Sequence, residues 1–184
     1  MGMANDPATR RTALVLGGAR SGKSRFAETL AVATGLPLVY VATAEARDGE
    51  MAERIAHHRT RRGAHWTTIE APLDLVGAID RTGEQTVLVD CLTLWLANLL
   101  ESGRDADSEG ERLAASIAHR AGPLILVSNE VGSGIVPVNA LARRFADAQG
   151  RLNQTIAAAV TQVFLVAGGQ PLRLKPRTDP EYSL

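Results

Sequence analysis

At 184 residues, 45% hydrophobic and 22% charged, the chain is long enough for one sizeable domain and too short for two comfortable ones. Lys+Arg and Asp+Glu are both 20, so the formal net charge is zero, which argues against a nucleic-acid protein held by bulk charge. One cysteine, Cys91, excludes an internal disulfide and suits a reducing cytoplasm, and no apolar run approaches the ~20 residues needed to span a bilayer.

In chain order, Met1 to Arg11 is polar, lacks a signal-peptide core and reads as a loose tail ahead of one domain over residues 12–184. Short apolar runs then alternate with amphipathic stretches. The runs are Ala13–Leu16, Leu38–Val41, Thr86–Val89, Leu124–Val127 and Val163–Val166. Each is almost continuously apolar, the mark of strands covered on both faces in a parallel sheet. Between them, helical patterns run near Lys23–Thr34, Glu50–Arg62, Leu92–Leu100, Glu109–Ala121 and Asn139–Thr161. The polar stretch Glu101–Gly110 reads as a loop, and the proline-bearing tail from Pro171 as a short edge strand followed by irregular chain. The alternation predicts an α/β domain with crossover connections.

The first strand runs into the first helix through Gly17-Gly18-Ala19-Arg20-Ser21-Gly22-Lys23-Ser24, which satisfies G-x-x-x-x-G-K-[ST]. Glycines let the backbone wrap a phosphate, and the helix start presents its positive end to the same anion. Lys23 is placed to reach the β- and γ-phosphates and Ser24 to ligate Mg2+. Farther on, Asp90 closes a buried strand, where α/β ligand sites gather. Two roles are open to it: holding Mg2+ through water, or capping the helix from Leu92. Cys91 beside it reads as a small buried hydrophobe.

His57 and His58 stand in the helical pattern from Glu50. Spacing puts Met51, Ile55 and His58 on one side and turns His57 toward Glu53. The pair is either two surface histidines on a basic helix or the source of a nucleophile. In the second case an imidazole attacks a nucleotide α-phosphate, with Arg59, Arg61 and Arg62 screening the triphosphate. His65 and His119 are isolated, which argues against a zinc site.

Several motifs together resemble one enzyme family. They are GGARSGKS at Gly17–Ser24, Ala42-Thr43-Ala44, MAERIAHHR at Met51–Arg59, His65-Trp66, Glu70, VDCLTLWLANLL at Val89–Leu100, NEVGSGIVP at Asn129–Pro137 and GRLNQ at Gly150–Gln154. From about Thr12 to Lys175 the chain is similar to the bifunctional adenosylcobinamide kinase / adenosylcobinamide-phosphate guanylyltransferases of cobalamin biosynthesis. The resemblance implies a P-loop NTPase-type, mostly parallel sheet flanked by helices in three α/β/α layers. It implies phosphorylation of adenosylcobinamide by ATP or GTP with Mg2+. GMP then passes from GTP to adenosylcobinamide phosphate through a guanylyl-histidine, giving adenosylcobinamide-GDP. By motif position the guanylylated residue falls on His58, with Lys23 the other catalytic residue. Nucleotide contacts carry over onto Gly17, Gly18, Ala19, Arg20, Ser21, Gly22, Lys23, Ser24, Ala42, Thr43, Ala44, Arg59, Thr60, Arg61, Arg62, Glu70 and Asp90. Ser24 and Asp90 carry over as metal ligands. The resemblance further implies a cytoplasmic homo-oligomer, a trimer, with neither nucleic-acid nor membrane partners. A single-activity P-loop kinase would keep Gly17–Ser24 and give the histidines no role. A GTP-binding switch is disfavoured by the lack of an N-K-x-D guanine-reading element.

Overall fold

A computed structural model describes residues 11–44 and 65–176. Seven strands form one sheet: β1 (Thr12–Gly17), β2 (Leu38–Ala42), β3 (Trp66–Glu70), β4 (Thr86–Asp90), β5 (Leu124–Asn129), β6 (Gln162–Ala167) and β7 (Gln170–Lys175). Their order is β3-β2-β4-β5-β1-β6-β7, parallel throughout except for β7, which pairs antiparallel with β6. Five helices among the described residues accompany them: α1 (Lys23–Val32), α2 (Leu75–Asp80), α3 (Leu92–Glu101), α4 (Ala106–His119) and α5 (Ala140–Ala159).

The uninterrupted apolar runs have the expected cause, because alternate residues of each strand enter different cores. Leu14, Val39, Val87, Val89, Leu124 and Leu126 pack with Leu75, Ile79, Trp95, Leu96, Leu113 and Ile156 on the face covered by α2 to α5. Val15, Tyr40, Leu88, Ile125 and Val127 pack with Ala27 and Ala31 of α1 on the other. The result is the three-layer α/β/α arrangement, with the largest buried side chain, Trp95, donating its Nε1–H to the Leu73 carbonyl at 3.1 Å. No helix among the described residues is long and apolar enough to cross a membrane.

Three expectations are corrected. The stretch Glu101–Gly110 is mostly helix, because Asp105 accepts from the Ser108 N–H at 3.0 Å and starts α4 at Ala106, three residues before Glu109. β3 and α2 went unseen in the sequence. α5 stops at Ala159, short of Thr161, whose N–H and hydroxyl both bind Thr12 (2.9 and 2.8 Å) and tie the start of β6 to the start of β1. The expected edge strand is β7. The helix expected over Glu50–Arg62 lies outside the described residues, as do the tail 1–10 and residues 177–184.

Candidate active site

The loop between β1 and α1 is shaped by contacts that demand its residue types. A Cβ on Gly17 would lie 2.6 Å from the Val166 carbonyl oxygen, closer than any side chain tolerates. Gly22 has φ 95°, a left-handed conformation that glycine adopts at no steric cost. Arg20 is also left-handed at φ 55°, and as a non-glycine residue it stores local strain there. The loop is braced by the Gly169 N–H donating to the Ser21 carbonyl (2.9 Å) and the Phe26 N–H to the Gly22 carbonyl (3.0 Å). Lys23 Nζ donates to the Gly18 carbonyl at 3.1 Å, which keeps the ammonium against the loop. Gly18 differs from Gly17: a Cβ there would meet no atom of the described residues within 4 Å. The space beside Gly18 is therefore available to a phosphate.

Asp90 ends β4 on the same edge of the sheet. β5 separates it from β1, so the two lie about two strand spacings apart, ~10 Å. The capping role fails for Asp90, since the N-cap of α3 is Cys91 and no side chain caps that helix. Instead one Asp90 oxygen, Oδ2, accepts from the Tyr40 hydroxyl at 2.8 Å. Cys91 is buried, and burial first, then the Asp90 carboxylate, push its thiol up to about 11, so it stays protonated and neutral. Cys91 is thus the inert hydrophobe expected rather than a nucleophile.

Ala42, Asp90 and Glu70 share one row of the sheet, Ala42 pairing with Glu70 on one side and Asp90 on the other. Glu70 lies four strand spacings from the cradle strand, ~19 Å, too far to share its phosphates. Thr43 is fully buried, and its hydroxyl donates to the Cys91 carbonyl (2.8 Å) and accepts from the Cys91 N–H (2.9 Å). Asn98 Nδ2 donates to the Thr43 carbonyl at 2.8 Å. Thr43 therefore shapes the end of β2 with its polar groups turned inward. His57, His58, Arg59, Thr60, Arg61 and Arg62 lie outside the described residues.

Hard oxygen donors suit Mg2+, which takes few protein ligands and keeps its phosphates and waters. Ser24 in the first turn of α1 and Asp90 at the end of β4 supply that chemistry, and the open space beside Gly18 admits the phosphate that would share the ion.

Sequence reasoning missed a set of side chains behind the edge. Asn129 pairs with Gly17, and the Glu130 N–H donates to the Gly17 carbonyl at 3.1 Å. The Asn129 N–H donates to Thr93 Oγ1 (2.9 Å) and its carbonyl accepts from Asn153 Nδ2 (3.1 Å). Asn153 is held in turn by Ser128 and Gln149. The sequence signal was present as NEVGSGIVP and GRLNQ, two motifs noted without a role for any one residue.

Comparison with known proteins gives these features a family context. The family model described as cobinamide kinase / cobinamide phosphate guanyltransferase matches residues 13–174. The chain is 50% identical over 166 residues to the bifunctional adenosylcobalamin biosynthesis protein CobP of Pseudomonas aeruginosa, covering 88% of this chain and 96% of that one. It is 41% identical over 179 residues to the bifunctional adenosylcobalamin biosynthesis protein CobU of Salmonella typhimurium, covering 88% and 98%. Among solved structures, the flagellar accessory protein FlaH of Methanocaldococcus jannaschii shares the fold alone, at a TM-score of 0.50 and 12% identity over 90% of this chain and 78% of that one.

Proposed function

Because the chain belongs to the cobinamide kinase / cobinamide phosphate guanyltransferase family, we propose that it performs both reactions on one domain. It phosphorylates the hydroxyl of adenosylcobinamide with ATP or GTP. It then transfers GMP from GTP to the resulting phosphate, giving adenosylcobinamide-GDP. The observation that carries the reading is the match over residues 13–174, within which Gly17–Ser24 forms the glycine-bearing loop between β1 and α1, a loop that suits a phosphate.

Phosphoryl transfer needs little covalent work from a protein and depends on positioning and charge. The Gly17–Ser24 backbone orients the phosphates, and Lys23 offsets charge that builds on the γ-phosphoryl oxygens. Bound Mg2+ would neutralise charge on the β- and γ-oxygens, with Ser24 and Asp90 holding it. Ala42, Ala44, Arg59–Arg62 and Glu70 serve the nucleotide farther from the cradle, with the buried Thr43 shaping the strand end behind them, consistent with the ~19 Å that separate Glu70 from β1. In the second reaction His58 attacks the α-phosphate of GTP, pyrophosphate leaves, and the adenosylcobinamide phosphate then takes GMP from the imidazole. The enzyme works in the cytoplasm as a homo-oligomer, a trimer. The test is mass spectrometry of the intact protein after incubation with GTP and Mg2+. A mass increase of one GMP is expected, and its absence under conditions that support turnover would remove the covalent step.

A further inference from the structure

We propose that Glu130 is the catalytic residue that takes the proton from the acceptor hydroxyl in the kinase reaction. The inference rests on the bifunctional reading above and adds to it a base for the first step. Three described carboxylates stand at or just beyond the carboxyl ends of β3, β4 and β5, namely Glu70, Asp90 and Glu130. Strand order ranks them by distance from the cradle strand β1. Glu70 is four strands away and Asp90 two, whereas β5 is the direct neighbour of β1. Asp90 already takes the Tyr40 hydroxyl on Oδ2. Glu130 alone is bonded to the cradle, through its N–H to the Gly17 carbonyl at 3.1 Å. Its Oε1 accepts from the Gly132 N–H at 2.7 Å, which orients the carboxylate. A carboxylate has about four lone-pair sites, so this bond leaves it able to accept a proton.

What holds Glu130 in place goes beyond ordinary folding needs. The preceding residue, Asn129, is fixed on its N–H by Thr93 of α3 and on its carbonyl by Asn153 of α5. Asn153 Oδ1 accepts from Ser128 Oγ (2.7 Å) and Gln149 Nε2 (3.0 Å), and Gln149 Nε2 also donates to Ser128 Oγ (3.0 Å). Ser128 and Gln149 are wholly inaccessible to solvent, and Gln149 Oε1 has no hydrogen-bond partner among the described residues. Burying a polar atom unpaired costs on the order of 1–3 kcal/mol. A chain of buried polar groups with one member left unsatisfied would be replaced by apolar packing if stability were the only demand. Its outlet is the backbone of Asn129, one residue from Glu130. The network therefore fixes the backbone that carries Glu130 next to Gly17, and the Gly132 N–H holds the carboxylate on that backbone, as a base acting on a bound hydroxyl requires.

The step balances without a further reactant. The acceptor oxygen attacks the γ-phosphorus and forms the new P–O bond. The bond from that phosphorus to the β–γ bridging oxygen breaks, and its electron pair leaves with the nucleoside diphosphate. The hydroxyl proton passes to Glu130 and then to solvent. The guanylyl transfer starts from a phosphate and needs no such base.

The two half-reactions are therefore assayed separately, with adenosylcobinamide for the first and ready-made adenosylcobinamide phosphate for the second. Glu130→Gln is expected to lower the kinase kcat by about 100-fold or more, with the nucleotide KM changed less than about threefold. Transfer of GMP to the ready-made phosphate should fall no more than a few fold. In Glu130→Ala, added formate should restore part of the kinase rate, as a diffusible carboxylate replaces the missing one. The proposal is overturned if Glu130→Gln keeps a kinase kcat within about threefold of wild type. It is equally overturned if both half-reactions fall together with a raised nucleotide KM, since Glu130 then only shapes the cradle. Wild-type protein that shows no kinase activity would instead overturn the bifunctional reading, and this proposal with it.

Discussion

Tyr40 and Asp90 form the contact by which a buried strand positions a carboxylate at the sheet edge. The Tyr40 ring is buried in the α1-side core, and its hydroxyl meets Asp90 Oδ2 at 2.8 Å. A hydrogen-bonding partner behind a metal-binding carboxylate is worth about 10- to 100-fold in metal affinity where it has been removed. Tyr40→Phe is therefore expected to raise the Mg2+ concentration for half-maximal kinase rate about tenfold. Asp90→Asn, which keeps the shape and loses the charge, should raise it further and lower kcat. Mg2+ titration of the kinase rate checks both, and an unchanged midpoint in both variants would remove Asp90 from the metal site. Cys91 gives a prediction of a different kind, on stability. Its folded thiol is pushed up to about 11 from an ordinary value of 9.0. Below pH 9 both folded and unfolded thiols keep their proton, and the stability associated with the buried thiol is fully present. Between 9 and 11 the unfolded chain ionises first, so stability falls as pH rises. By pH ~10.5 the loss from this group should reach about 2 kcal/mol. Urea unfolding at pH 8 and at pH ~10.5 should therefore show a larger drop for the native chain than for Cys91→Ala.

The helices and strands divide into those whose pattern states their role and those whose pattern does not. α4 belongs to the second group at its start. The run Glu101 to Gly110 is polar and contains two glycines, so composition argues for a loop. The helix forms because Asp105 satisfies the Ser108 N–H, and Asp107 and Glu109 stand in the first turn, where negative charge meets the positive end of the helix. Asp105→Ala should therefore cost about 1 kcal/mol of stability, seen as a fall in Tm of roughly 2–4 °C. Both half-reactions should run at native rates, because Asp105 starts a helix that packs on the sheet face opposite α1. β3 was illegible for a physical reason. As the edge strand opposite β7 it is only partly covered, and WTTIE carries polar residues where the inner strands carry Val and Leu. α2 has six residues with Gly77 inside, too short for a helical period to show. The five inner strands were legible because burial on both faces writes itself as a continuous apolar run. The cradle was legible because close approach and a left-handed φ admit few residue types. The Thr93–Asn129–Asn153 bracket was not, since contacts between α3, β5 and α5 exist only once the chain has folded.

At the scale of the molecule, the sheet sets two groups of candidate residues along one edge. The cradle stands at β1, and the Glu70–Ala42–Asp90 row spans β3, β2 and β4. The chain between β2 and β3, which carries His57, His58 and Arg59–Arg62, joins two strands of that row. A nucleotide that reaches from Gly17–Ser24 toward Glu70 would pass this segment's attachment point at Ala42–Ala44. The two reactions then call on different phosphorus atoms of the nucleotide, the γ-phosphorus for the kinase step and the α-phosphorus for guanylyl transfer. This separation predicts that one activity can be removed without the other. Attack on the α-phosphate needs a neutral imidazole nitrogen. In the proposed mechanism Arg59, Arg61 and Arg62 would screen the triphosphate and stabilise the negative charge that builds in the transition state. If the segment from Glu50 forms the helix its spacing predicts, Met51, Ile55 and His58 share one side, and the proposed nucleophile is His58 rather than His57. His58→Ala is accordingly expected to lose covalent GMP attachment and guanylyl transfer while keeping kinase turnover. His57→Ala should retain both in large part. The attached GMP should be released by acid and resist base, as a phosphoramidate does. Labelling with α-labelled GTP followed by denaturation reads out each variant. Label that survives in His58→Ala and disappears in His57→Ala would move the nucleophile by one residue. Label that survives in the double variant would remove the histidine mechanism altogether.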